Sequence, residues 1–255
     1  MKVTVCELPH ELGPLEAAWT DLREHVAVHE SELVLLPEFA FVEPLWELDY
    51  FDPARWDEGV ARSNAWAPRL AELGATHVVS TRPATVGRRH FNEGFIWSSG
   101  SGLAPLRSKW FLPDEPGGWE ARWFVRGHRE FPRFTASRMS FGLNICTELW
   151  ALDTFASYAE MGIHAVLCPR ATCAATMGKW RSAGTVAAVR SGAYCLSSNR
   201  VHADGTCAGG GWIISPDGDL LATTTSDSPF CTIDLDFGAI KAAAQTYPRY
   251  VFARP

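Results

Sequence analysis

No stretch of the chain reaches the roughly 18 consecutive apolar residues of a membrane-spanning helix, so no membrane partner is expected. Basic residues do not gather either. The 23 lysines and arginines are interspersed with 29 aspartates and glutamates along 255 residues, giving a net charge of -6. That leaves no continuous basic face for a phosphate backbone, and no nucleic-acid partner is expected. There is no Cys-x-x-Cys pair. The seven cysteines (Cys6, Cys146, Cys168, Cys173, Cys195, Cys207 and Cys231) are odd in number and scattered, which is no disulfide framework in a chain of this length. Most of them are expected to be small buried hydrophobes. The eight histidines show no metal-ligand spacing, and no metal is expected. The start, Met1 to Val5, moves at once into a strand-like alternation without the segments of a secretory signal, so the cytoplasm is the expected compartment. No internal repeat, low-complexity segment or linker interrupts the sequence. Residues 1–255 are therefore read as one domain, and 47% hydrophobic residues suffice for a full-sized core.

What is present is an alternation of two patterns. Short β-rich apolar runs occur at residues 2–6, 32–37, 77–81, 93–98, 140–146, 165–169 and 193–199, and several of them read as buried strands. Between them, Leu15, Trp19, Leu22 and Val26 fall at helical spacing, and residues 61–73 and 154–161 share that period. Alternating strand and helix predicts an α/β layered fold. Further on, residues 209–215 and 219–225 flank Pro216-Asp217-Gly218, a strand, turn and strand signal. The segment 247–252, with Tyr247, Tyr250, Val251 and Phe252, is too apolar for a free tail and is expected to pack on the body or on a second subunit.

Three of the strand-like runs end in a polar residue followed by a proline, an aromatic or a turn. They close on Glu38 (after Leu36-Pro37), on Lys109 (before Trp110-Phe111) and on Cys146 (after Asn144-Ile145). Strand ends are where α/β folds place their sites. A carboxylate, an ammonium and a thiol converging there would suit acyl transfer. A thiol of ordinary pKa is mostly protonated at neutral pH and needs a base to take its proton as it attacks, a task for Glu38. The carboxylate by itself would raise the thiol pKa; the cationic Lys109 offsets this and can stabilise the oxyanion.

With these segments in this order, the chain resembles the carbon–nitrogen hydrolase, or nitrilase, superfamily along nearly its whole length. The resemblance rests on Leu36-Pro37-Glu38, Asn92, Lys109 with Leu112-Pro113, the glycine strand leading to Cys146, Trp180, Ser198-Asn199-Arg200 and residues 211–219. It implies a four-layer α-β-β-α sandwich, a Glu38, Lys109, Cys146 triad, and a homodimer or larger assembly. The loop Asp114 to Phe124 resembles that of N-carbamoyl amine and amide hydrolases of the superfamily. It maps a second glutamate onto Glu120 rather than Glu115, to position lysine, substrate and water, the bland alternative being a salt bridge within the loop.

The implied reaction is attack of Cys146 on the carbonyl carbon, with the oxyanion held by Lys109 and the backbone N–H of Thr147, and a thioester hydrolysed by a water that Glu38 activates. No cofactor is called for. The implied substrate is a small linear amide or N-carbamoyl amine. A nitrile, an acyl transfer to an amine and a non-catalytic scaffold of the same fold stand as alternatives. After the cysteine comes Thr147-Glu148-Leu149-Trp150 without the Pro-Glu usual in amide hydrolases.

Candidate substrate contacts are Arg170, which follows a strand expected beside the one ending at Cys146 and would bind a carboxylate unless it forms a structural ion pair, and Glu148, Trp150 and Trp119. Of the 11 tryptophans, Trp46, Trp110, Trp119, Trp123, Trp150 and Trp180 fall near the site segments, which raises an aromatic-lined pocket as an expectation. Cys173 is expected to pack and His128 to lie at the surface.

Overall fold

A computed structural model describes residues 1–252. In chain order its elements are β1 (Lys2–Leu8), α1 (Leu12–His29), β2 (Leu33–Leu35), α2 (Pro53–Trp66), β3 (His77–Val86), β4 (Arg89–Ser98), β5 (Gly102–Ser108), α3 (Glu120–Trp123), β6 (Phe134–Ala136), β7 (Met139–Leu143), α4 (Asp153–Met161), β8 (Ala165–Arg170), α5 (Met177–Ser191), β9 (Tyr194–Arg200), β10 (Trp212–Ile214), β11 (Leu220–Thr223), β12 (Phe230–Asp234), α6 (Phe237–Ala243) and α7 (Arg249–Phe252). Among them no helix is long and apolar enough to cross a membrane. All seven cysteines are free.

The strands form two sheets. One runs β5-β4-β3-β2-β1-β12 and the other β6-β7-β8-β9-β10-β11. Their main-chain ladders meet at the ends of two parallel strands, where Glu7 and Leu8 of β1 pair with Asn199 and Arg200 of β9. Side-chain alternation makes four layers of this. Val3, Val5, Leu33 and Leu35 face the second sheet, while Cys6, Leu8, Val34 and Leu36 face Leu15, Trp19, Leu22 and Val26 of α1. On the second sheet Gly142 lies under the ring of Tyr158 in α4, so its neighbours Phe141 and Leu143 turn inward. The α-β-β-α sandwich expected from the sequence is the observed fold.

Local chemistry explains the boundaries. Helix α2 starts eight residues before the periodic stretch because Pro53 opens it and the Asp52 carboxylate accepts from the N–H groups of Ala54 and Arg55. The periodic residues 67–73 continue it as a 3₁₀ segment. Strand β7 stops at Leu143, three residues short of the expected end, since Cys146 takes a left-handed φ of 47° and opens a 3₁₀ turn. Strand β12, which the sequence pattern did not signal, returns antiparallel to β1. The segment 247–252 is anchored by buried Arg249, which donates to the carbonyls of Ala243 and Pro216 and pairs with Asp217, while Tyr247, Tyr250, Val251 and Phe252 are exposed.

Candidate active site

The expected triad residues leave three different strand ends. Past β2 the backbone is pinned by the Leu36 N–H on the Val79 carbonyl, by Ser80 Oγ donating to the Pro37 carbonyl at 2.7 Å, and by the Glu38 N–H on the Arg170 carbonyl at 3.2 Å. Phe39, at φ 48°, bends the chain away, and its N–H is taken by Thr81 Oγ1. Glu38 is thereby buried with Oε1 accepting from two donors, Asn92 Nδ2 at 2.8 Å and Lys109 Nζ at 2.9 Å. Asn92 serves twice, because its carbonyl also receives the Lys109 N–H at 2.9 Å and so sets where the lysine leaves β5.

Lys109 is fully buried, and its ammonium lies between two carboxylates, Glu38 and Glu120, the latter at 2.7 Å. The lysine uses two of its three N–H donors in this way. Glu120, the first residue of α3, keeps Oε2 buried without a hydrogen-bond partner among the described residues. Glu115 sits in the exposed turn closed by its own hydrogen bonds with Gly118.

Cys146 is almost entirely buried, and its left-handed backbone is strained for a residue with a Cβ. The strain is held by surrounding bonds. Its carbonyl accepts from Cys168 Sγ at 3.9 Å, and the Ala171 N–H faces its sulfur. Ala171 is fixed in turn by Asn199, which bonds both backbone groups of Thr172: Oδ1 takes the N–H at 2.9 Å and Nδ2 donates to the carbonyl at 3.0 Å. Cys146 and Thr147 are the first two residues of the 3₁₀ turn, so their N–H groups have no partner within it.

The charges of the cluster act on one another. Burial, with Glu38 adding to it, pushes the Cys146 thiol far up, and Lys109 opposes this only in part. The resting group is therefore the neutral thiol. Burial disfavours the Lys109 ammonium, yet Glu120 and Glu38 outweigh it and hold the amine charged well above its ordinary range. Burial pushes the Glu120 carboxyl up to about 7, against the pull of Lys109 and with help from Glu38.

Two expected substrate contacts are corrected. Arg170 is fully buried, and each of its nitrogens is committed to the protein: Nε to Ser197 Oγ at 2.7 Å, Nη1 to Thr172 Oγ1 at 2.6 Å and Nη2 to the Gly210 carbonyl at 2.9 Å. Its guanidinium also lies 4.0 Å from the centre of the Trp212 ring. It is a structural cation, unavailable to a substrate carboxylate. Glu148 is fully buried too and is bound by Arg107 through both carboxylate oxygens, so it is no free substrate ligand. Trp150 is 44% exposed beside Trp180, and Trp119 is half-buried with its N–H on the Trp46 carbonyl. Trp46 and Trp123 pack with Phe39 and Phe124 in an apolar cluster that flanks Glu38 and Glu120 in sequence. Cys173 is half-buried and His128 exposed.

Sequence reasoning missed Arg107, whose one signal was its position two residues before Lys109, and the anchoring role of Asn199. It also missed a tertiary group, His10, Glu11 and His202, the described residues with the donor set for a cation. There, His202 Nε2 is already held by Glu11 Oε1 at 2.7 Å, its Nδ1 meets Asp204, and the charges of Arg200 and Arg62 work against a divalent ion.

Comparison with known proteins places this geometry. The sequence model described as carbon-nitrogen hydrolase matches residues 2–245. A comparison with curated protein sequences found no match. Among solved structures, a carbon-nitrogen hydrolase from Helicobacter pylori G27 superimposes with a TM-score of 0.87 at 17% identity, over 100% of this chain and 95% of that one. Nit3 from Saccharomyces cerevisiae, a member of branch 10 of the nitrilase superfamily, gives 0.79 at 17% identity, over 97% and 94%. A mutant of the amidase from Nesterenkonia sp. AN1, showing Michael addition of acrylamide at its active-site cysteine, gives 0.75 at 17% identity, over 94% and 95%.

Proposed function

The chain belongs to the carbon–nitrogen hydrolase family, and we propose that it hydrolyses a small linear amide or N-carbamoyl amine through a thioester on Cys146. The observation that carries this is the Lys109 ammonium clasped between Glu38 and Glu120, with Cys146 inside the same buried field.

The neutral thiol gives its proton to Glu38 as the sulfur attacks the carbonyl carbon, forming the C–S bond. The charge that develops on oxygen is met by the third N–H of Lys109 and by the backbone N–H of Thr147. Glu38 then passes the proton to the nitrogen, the C–N bond breaks, and ammonia or an amine leaves. Water enters, gives a proton to Glu38 and attacks the thioester; the C–S bond breaks and Cys146 takes the proton back. Glu120 stays on Lys109 throughout and orients it. All proton transfers run between groups of this chain, substrate and water. The modified cysteine reported for the Nesterenkonia amidase supports a cysteine as the reactive group. The reaction is expected to run in the cytoplasm, in a homodimer or larger assembly.

The experiment pairs the nitrile and the amide of one acyl group, follows ammonia release, and weighs the protein by mass spectrometry. Turnover of the amide, a transient acyl adduct on Cys146 and no ammonia from Cys146→Ala are expected. Turnover of the nitrile with none of the amide would refute the amide reading.

A further inference from the structure

Lys109 and Cys146 belong to different sheets, the first at the end of β5 and the second past β7. The ladders of the two sheets meet where β1 pairs with β9. The strand path between them runs β5-β4-β3-β2-β1-β9-β8-β7, a long route through both sheets, so contacts made directly between the two segments set the distance from ammonium to thiol more closely.

The side chain of Glu148 bonds to the backbone of both segments. Glu148 Oε2 accepts the N–H of Ile145, the residue before Cys146, at 2.9 Å. Its Oε1 accepts the N–H of Trp110, the residue after Lys109, at 2.7 Å. Arg107, also on β5, closes the arrangement: Nη2 donates to Oε1 at 3.0 Å and Nη1 to Oε2. The guanidinium is fixed by the Glu130 carbonyl at 3.1 Å and by the Phe131 ring at 4.2 Å, and Nη1 also reaches the Leu143 carbonyl at the end of β7 at 3.4 Å. Four donors thus converge on one fully buried carboxylate, which is acceptor-only when ionised and has room for all four. An amide side chain would turn an NH₂ group toward at least one of these donors.

We infer that Glu148 is a positioning residue, holding the Cys146 turn and the Lys109 strand end at their working separation through the N–H groups of Ile145 and Trp110. This rests on Cys146 and Lys109 acting together as proposed above. A purely structural Glu148 would do no more than neutralise buried Arg107, and the two roles separate when both charges are removed. Replacing a buried ion pair by apolar residues of similar volume is often neutral for stability, and here the cost is that of the Ile145 and Trp110 N–H groups left without their acceptor. Losing the two backbone anchors leaves the geometry free to drift, and a displacement of about 1 Å costs about 100-fold in rate.

The test compares Glu148→Gln and the paired Arg107→Met/Glu148→Met variant with the wild type. It reads thermal midpoint, kcat and KM on an amide that the wild type turns over, and the rate at which iodoacetamide alkylates Cys146, followed on the Cys146 peptide. The paired variant should stay folded with a lowered midpoint, because the N–H groups of Ile145 and Trp110 lose their acceptor, and should lose about 100-fold in kcat with KM little changed, while alkylation slows by about tenfold. Glu148→Gln should show the same split, which covers the case of a paired variant that does not fold. Wild-type kcat and alkylation in either folded variant would overturn the inference. If the wild type turns over no amide, the hydrolase reading fails, and the alkylation rates still decide the role of Glu148.

Discussion

Glu120→Gln removes one charge from the buried trio and keeps the side chain's shape, so its effect on stability isolates how the fold holds that carboxyl. Burial, opposed by Lys109 and aided by Glu38, pushes Glu120 from 4.5 up to about 7 in the folded protein. A carboxyl raised in this way binds its proton more tightly in the native state than in the unfolded chain. Its ionisation therefore works against the fold as pH rises from about 4.5 through about 7, with no further change above. The separation corresponds to about 3 kcal/mol. Glutamine does not titrate. The stability of Glu120→Gln relative to the wild type should thus climb by about 3 kcal/mol between pH 4.5 and about 8, with most of the rise between about 5 and 7. Urea unfolding in steps of pH reads this directly and needs no substrate. A difference that stays constant across the range would refute the reasoning, because it would mean that the Lys109 ammonium fully compensates the burial of its partner.

Asn92→Ala removes the Nδ2 donor from Glu38 Oε1, leaving Lys109 as the remaining hydrogen-bond donor to that oxygen. A hydrogen bond to a charged group is worth about 1.5–3 kcal/mol, so kcat/KM should fall about 10- to 100-fold in steady-state assays; an unchanged value would show that Lys109 alone orients the base. Gly142→Ala would bring a Cβ to 2.2 Å from the Tyr158 ring. Calorimetry should show destabilisation of about 1–3 kcal/mol or more, and a wild-type midpoint would mean that α4 yields to the added methyl.

The alternation of apolar strands with periodic helices made the layered fold legible, because side-chain period reports which face of an element is buried. Val3 and Val5 against Cys6 and Leu8 show it within one strand. The strand-end positions of Glu38, Lys109 and Cys146 were legible for a similar reason: each ends an apolar run in a residue that such a run would not otherwise carry. The left-handed turn at Cys146 was not, since nothing in Ile145-Cys146-Thr147 calls for a positive φ; the Asn199 and Cys168 contacts that surround it come from β8 and β9.

The sequence by itself thus determined most of the elements, their faces and the strand-end positions of Glu38, Lys109 and Cys146, all of which depend on local order and period. Tertiary structure alone decided what the long polar side chains do. Arg170 and Glu148 lie near the site in sequence and look like substrate ligands, yet both are consumed by partners 27 to 41 positions away, Ser197 for the arginine and Arg107 for the glutamate. The physical reason is that a buried charge must be matched by several donors or acceptors at once. Which ones are within reach is fixed by how two sheets are laid together, and no spacing along a chain records that.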